Sequence, residues 1–444
     1  MRMFVIPTHR ECLKSIISIL HEMEVYHNQT GDEPILLILD NGSSQISSIN
    51  KTYFKEHKNE WNRFRVYYIK IDNTSELIEI ISQKSNIDIN VLNDLLIPEK
   101  IDYGKIYNLI YLMSSALKCS SFHRRDSDCY FDPDYTKENL SVIQETKFLN
   151  QPVKAVIKKE ILDVIDDVSF DDDEKILIAG SNYVGNWNID LHELSSKNPD
   201  VAANLLEICD IPEDSIEDQV NSNYTDKKME QLNKRAILKT SFNVPDAPEC
   251  GNMSMSEIFR WIPNFIGENG VGFDYFTYFM AFLFKVPIVF HQVRIPHIHD
   301  DKRYDNIDLT RYWLGVIKMV DFDLIYTKFI QNNYPAKLMK DEKGLKVIKR
   351  ICKKEFPDCL EEIIEAISID SRIEKYNSVV NDILIASGIE KYVSIGKKLL
   401  ECRDSVLDSL TTEYHKSIYL QRIWTDLITA ADGVDVELFK KYKL

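Results

Sequence analysis

The sequence predicts an α/β fold: a mostly parallel, mixed sheet of Rossmann-like type flanked by helices over residues 1–300, followed by an all-helical C-terminal region over 301–444. Strand and helix patterns alternate through the first third of the chain, as in successive βαβ units. The run Ile35-Leu36-Leu37-Ile38-Leu39 is apolar at every position, as expected of a parallel strand covered on both faces. From about residue 305 onward, apolar residues recur almost wholly at helical spacing.

Taken in order, residues 3–7 read as a strand and 11–26 as an amphipathic helix carrying Leu13, Ile16, Ile17 and Leu20 on one face. After the strand 35–39, Asn41-Gly42-Ser43-Ser44 supplies a turn and a helix cap. A third strand is expected at 64–71, then helices at 75–83, 90–96 and 103–117, then a short strand from Cys119 to His123. Further on, 175–179 is another apolar strand, followed by a turn-rich stretch from Gly180 to Trp187 whose aromatics suit a pocket rim. The polar, acidic passage 195–235 reads as an insertion or covering element, 245–252 as a loop, and 286–294 as a last strand. Beyond it, helices are expected at 312–330, 344–356, 360–367, 373–387, 388–407 and 417–431. They form an appendage that packs on the core, closes over the site or supports a homodimer.

At 444 residues, with 44% hydrophobic residues, the chain can bury a large core. A net charge of -16 argues against nucleic acid as a partner, since binding to a phosphate backbone calls for a broad basic surface. The most apolar segment, 273–290, is broken by Asp274, Lys285 and Pro287, so no membrane span is expected. The N-terminal apolar run is too short for a secretory signal, and the eight cysteines show no Cys-x-x-Cys pair, so the expected location is the cytoplasm with reduced thiols.

The candidate site centres on His123-Arg124-Arg125-Asp126-Ser127-Asp128. In extended backbone, carboxylates one residue apart share a face about 7 Å apart, where a divalent cation can bridge them, and arginine forks match phosphate oxygens. Open α/β sheets bind ligands beyond the carboxyl ends of their strands. Thr8-His9-Arg10, Asp40-Asn41 and Arg125 to Asp128 all fall at such ends and are expected to converge on one crevice. Asp274 opens an aromatic helix, where it serves either as an N-terminal cap or as a catalytic carboxylate. His291, His297 and His299, three of the ten histidines, cluster after the last strand, where a histidine can act as metal ligand or acid/base.

Through Phe4-Val5-Ile6-Pro7-Thr8-His9-Arg10, Leu39-Asp40-Asn41-Gly42 and Asp126-Ser127-Asp128, the chain resembles glycosyltransferases of the GT-A fold over roughly residues 1–300. More narrowly it resembles a poorly characterised bacterial family found in natural-product gene clusters, through the run from Tyr103-Gly104 to Asp128 and through Gly272-Phe273-Asp274-Tyr275-Phe276 with His291. The resemblance implies a metal-dependent glycosyltransferase that moves a sugar from a nucleotide-sugar donor to a small-molecule acceptor. Pro7, Thr8, Arg10, Asp40, Arg125 and Asp126 would bind the donor, and Asp126, Asp128 and His291, or a neighbour from His297 and His299, would hold Mn²⁺ or Mg²⁺. Asp274 would stand where inverting members place the base. Two other readings share the fold: a nucleotidyltransferase, for which the loop after the first strand lacks the usual glycines, and a non-catalytic binding or scaffold protein. A metal-dependent hydrolase built on the histidines would need more carboxylates nearby than Asp300 and Asp301 supply.

Overall fold

The computed structural model describes residues 1–132, 140–159, 162–164, 170–171, 173–185, 191–209, 235–240, 248–298 and 306–444, together with positions 213, 216, 217 and 220. The expected rim residue Trp187, the larger part of the expected insertion at 195–235, and His299 lie outside the described residues.

Among the described residues, nine strands form one mixed sheet in the order β3-β2-β1-β4-β9-β6-β10-β8-β5. These are β1 (Arg2–Thr8), β2 (Ile35–Asp40), β3 (Arg65–Lys70), β4 (Ser121–Arg125), β5 (Leu162–Val164), β6 (Ile178–Gly180), β8 (Ala236–Lys239), β9 (Asn252–Ser256) and β10 (Ile288–Phe290). A separate parallel pair joins β7 (Tyr183–Gly185) to β11 (Ile295–His297). The first four strands are parallel, with Met3 opposite both Ile35 and Phe122. β9 then runs antiparallel between β4 and β6 and turns a doubly wound half into a mixed sheet.

The pleat explains the apolar runs. Met3 and Val5 of β1, with Ile35, Leu37 and Leu39 of β2, enter one core, whereas Phe4, Ile6, Leu36 and Ile38 enter the core on the opposite face. Each such side chain contributes roughly 1.5–3 kcal/mol by leaving water. On the second face lies helix Leu13–Thr30. The first face is shared by helix Tyr103–Ala116 and by the C-terminal helices, including Trp313, Leu410 and Trp424, so sheet and C-terminal helices close a single apolar core. Trp424 fixes this packing by donating its indole N–H to the Phe259 carbonyl at 2.9 Å.

Two C-terminal helices expected at 388–407 and 417–431 are one helix, Glu390–Asp432. The polar stretch between them stays helical because Leu410 and Tyr414 are buried against the core, while the Thr411 and Thr412 hydroxyls satisfy themselves on the carbonyls of Leu407 and Asp408. Among the described residues, no helix is long and apolar enough to cross a membrane.

A buried charge cluster fastens β4 to the second face. Arg125 is 1% exposed and donates through Nε and Nη2 to the two oxygens of Glu22, and through Nη1 to Glu145. The Nδ1 atom of His123 meets the other oxygen of Glu145, while the Arg2 guanidinium approaches Nε2 at 3.4 Å. Arginine can only donate, so Nε2 accepts and the Nδ1–H donates to Glu145: a neutral imidazole beside an ionised carboxylate. Burial holds the His123 pKa down at about 4, against the pull of Glu145. Below the ordinary histidine value of 6.5 the unfolded chain therefore takes a proton that the folded chain refuses until about pH 4, and stability falls as pH falls through that window. Thermal unfolding followed downward from neutral pH should show a loss on the order of 3 kcal/mol from this residue. His123→Gln, whose amide donates without titrating, should flatten the profile over the same window.

Candidate functional site

A cleft opens at the carboxyl ends of β1 and β4, with about 980 Å³ of empty space running out into solvent. Pro7, Thr8, Arg10, Asp126, Asp128 and Asp274 all line it, so the structure brings these expected site residues together from three distant segments. Thr8 shapes the loop after β1: its hydroxyl donates to the Arg10 carbonyl at 2.8 Å and accepts from the Arg10 N–H at 3.1 Å. The resulting turn aims Arg10 at Asp128, where Nη1 donates to Oδ2 at 3.0 Å.

Three expected site residues lie elsewhere. Arg125 does not face the cleft, because β4 alternates its side chains: His123 and Arg125 point into the buried cluster, and Arg124 points the opposite way, into the cleft. Asp40 is fully buried, and its carboxylate is taken up by the Gly42 N–H at 2.6 Å, the Ser47 hydroxyl at 2.5 Å and the Tyr68 hydroxyl at 2.6 Å. It organises the turn after β2, and Asn41 lines the cleft instead. His291 is fully buried directly after β10, accepts the Val293 N–H at Nδ1, and has its pKa lowered to about 4 by burial. It stands outside the cleft lining; His297 is the histidine that reaches the cleft.

The small β7/β11 sheet, for which the sequence gives no strong signal, explains that difference. β11 pairs with β7, while His297 also forms a bridge opposite Cys129, directly after Asp128. His297 stacks on Tyr183 with ring centroids 4.7 Å apart, and its Nε2 lies 3.4 Å from Asp128 Oδ1. Asp128, Cys129 and His297 each bring a potential ligand atom within 4.8 Å of the others, a spacing at which, among the described residues, three ligands can reach one metal ion. Burial, reinforced by the charges of Asp128 and Asp126, pushes the Cys129 thiol well above its usual range, so the carboxylate and imidazole are the ready donors.

Asp126 is clasped from two sides. Tyr107 donates its hydroxyl to Oδ1 at 3.0 Å, and Tyr183 donates to Oδ2 at 2.8 Å. Burial above all pushes both phenols well above their usual range and keeps them protonated. Arg124 lies flat over the Tyr107 ring, its Cζ 3.5 Å from the centroid, and links two carboxylates: Asp126 at 3.4 Å and Asp274 at 2.5 Å. Burial raises the Asp274 pKa while Arg124 opposes the shift. Of the two roles open to Asp274, capping is not what its side chain does: the helix Phe276–Leu283 starts without a side-chain cap bond.

Fold and site thus define a mixed-sheet α/β protein with a charged cleft, rich in carboxylate and arginine, at the ends of its parallel strands. The chain belongs to the family of unknown function DUF6271, whose model matches residues 3–439. No curated protein matches it. Among solved structures, the mannosyltransferase PcManGT from Pyrobaculum calidifontis, in complex with GDP-Man and Mn²⁺, is similar at 8% identity and a TM-score of 0.37, over 95% of this chain and 87% of that one.

Gly251 makes the clasp on Asp126 sterically possible. A Cβ there would lie 2.6 Å from Asp126 Oδ2 and 2.4 Å from the Tyr183 hydroxyl, which itself accepts the Gly251 N–H at 2.7 Å. Gly251→Ala should therefore cost roughly 1–3 kcal/mol, read as a lower denaturation midpoint with unchanged slope, because Asp126 and Tyr183 must both shift.

Proposed function

We propose that the cleft binds a nucleotide-sugar donor with a divalent cation and transfers the sugar to the hydroxyl of a small-molecule acceptor, as the sequence resemblance to natural-product glycosyltransferases implies. The observation that carries this reading is the convergence of Asp126, Asp128 and His297 with two arginines, Arg10 and Arg124, at the ends of adjacent parallel strands. The two carboxylates balance the two arginines, so a divalent cation held by the carboxylates would supply the net positive charge that a diphosphate needs.

The donor set fits the cation. Carboxylate oxygens suit Mn²⁺ and Mg²⁺ alike, whereas the imidazole nitrogen favours Mn²⁺ of the two; Asp128 and His297, with Asp126 adjoining, would hold it. When bound, that ion supplies charge neutralisation for the departing nucleoside diphosphate. The remaining work falls to the chain. Arg10 and Arg124 orient the phosphates, and each has a carboxylate partner that keeps its guanidinium in place in the resting cleft. The acceptor oxygen bonds to the anomeric carbon as the bond from that carbon to the diphosphate oxygen breaks, and the acceptor proton passes to Asp274. Its raised pKa makes Asp274 a stronger base than an exposed aspartate, and the ion pair with Arg124 fixes its direction.

The nucleotidyltransferase reading is less well supported, since Pro7-Thr8-His9-Arg10-Glu11-Cys12 has no glycine to wrap a triphosphate.

Ligand-linked thermal stability tests the proposal. A nucleoside diphosphate at about a hundredfold its dissociation constant adds about 2.7 kcal/mol, a shift of several degrees. It should appear for one nucleotide class, require Mn²⁺ or Mg²⁺, and vanish in Asp128→Asn; no shift with any nucleotide would sink the donor assignment. A second variant addresses the base. Asp274→Asn should retain the nucleotide-dependent shift and lose turnover by about 10²–10⁴, and unchanged turnover would remove Asp274 from the reaction.

A further inference from the structure

The cleft has two chemically different halves. Around Asp126 and Asp128 its wall is charged and polar, with Thr8, Arg10, Asn41 and His297. The other half is lined by Ile101, Tyr103, Ile106, Val271 and Tyr312, each half-buried and so presenting part of its surface to the cleft. Three elements build this second wall: the segment entering helix Tyr103–Ala116, the loop around Val271, and helix Asn306–Gln331. They are locked together closely. The Asn269 N–H donates to the Ile101 carbonyl at 2.7 Å, and a Cβ at Gly315 would lie 2.4 Å from the Asn269 carbonyl oxygen and 2.6 Å from Val271.

Among the described residues, charge is withdrawn from this half. Asp102 lies at its base, but both carboxylate oxygens are committed, Oδ1 to the Lys105 N–H and Oδ2 to the Gly267 N–H, each at 2.9 Å. The Lys105 ammonium turns away to the carbonyls of Asp94 and Ile97, outside the cleft lining. At the seam between the halves, Asp274 is matched by Arg124. Among the described residues, a charged ligand placed against this wall would lose hydration without gaining a counter-ion, whereas a flat ring would cover the tyrosine faces.

We infer that the second half is the acceptor subsite and that it takes an uncharged, ring-bearing hydroxyl compound, a phenol or a fused-ring alcohol, with the hydroxyl directed to Asp274 at the seam. This deepens the transfer reading above and rests on it for the word acceptor. Selectivity for uncharged rings, however, belongs to the wall itself. Among the described residues the wall offers no counter-ion, so desolvation disfavours anionic and cationic acceptors of equal size.

Equilibrium binding of a fluorescent naphthol and the matching naphthoate to the full chain tests this. At neutral pH the two share a ring system and differ in charge. Wild type should bind naphthol at least about tenfold more tightly than naphthoate, and Tyr312→Ala should weaken naphthol by about tenfold. Val271→Lys supplies the missing counter-ion and should reverse the preference, which keeps the test informative if Tyr312→Ala folds poorly. Equal affinities in wild type, or an unaltered preference in Val271→Lys, would overturn the inference. Nucleoside diphosphate with Mn²⁺, titrated on wild type in parallel, reports on the donor separately: its failure alongside naphthol selectivity would strike the transfer reading and leave the wall's preference standing.

Discussion

Arg125, sealed between Glu22 and Glu145, is the interaction on which the cleft depends. It ties β4 to helix Leu13–Thr30 through Glu22 and to helix Ser141–Phe148 through Glu145, with every side chain involved essentially inaccessible to water. Removing one partner from such a cluster strands a buried charge at a cost of roughly 3–5 kcal/mol, although an apolar replacement of the whole set need not destabilise the fold. Its value is therefore orientation. Because side chains alternate along a strand, fixing Arg125 on one face forces Arg124 to the other, and the chain leaves the sheet with Asp126 and Asp128 at the mouth of the cleft.

A second set of restraints works from the opposite side. The β7/β11 pair delivers Tyr183 and His297 together, stacked on one another, the first onto Asp126 and the second beside Asp128. Tyr107 reaches Asp126 from helix Tyr103–Ala116, so that carboxylate is positioned by elements far apart in sequence. Such pre-orientation, with protonated phenols donating to a fixed carboxylate, reduces the reorganisation needed when a charged ligand enters.

Much of the first half was legible because β1 and β2 are apolar on both faces, and β1, β2 and β3 lie where the hydrophobic runs place them; β4 is Ser121–Arg125, two residues beyond the expected Cys119 to His123, because buried carboxylates allow its two arginines to stay in the strand. β9 was not legible. Asn252-Met253-Ser254-Met255-Ser256 has no β-branched residue to mark a strand and begins at the last residue of the loop expected at 245–252, yet it is wholly buried, with the Ser254 hydroxyl satisfied by the Ala179 carbonyl. In the cleft, the convergence of Thr8, Arg10, Asp126 and Asp128 was legible because the ends of parallel strands lie together in an open sheet. Choosing Arg124 over Arg125 needed the pleat parity of β4, and choosing His297 over His291 needed the pairing of β11 with β7. Asp40 misled for a simpler reason: a carboxylate at a strand end can be consumed by its own turn, and here Gly42, Ser47 and Tyr68 use it up.

The central claim is that Asp128 and His297 hold a divalent cation against a diphosphate. Pulsed electron paramagnetic resonance of Mn²⁺ bound to the full chain tests it most directly, since imidazole nitrogen and phosphate phosphorus each couple measurably to the metal's spin. A nitrogen coupling should disappear in His297→Ala but survive in His291→Ala, and a phosphorus coupling should appear when a nucleoside diphosphate is added. Bound Mn²⁺ without nitrogen coupling, or a nucleotide that binds without phosphorus coupling, would contradict it.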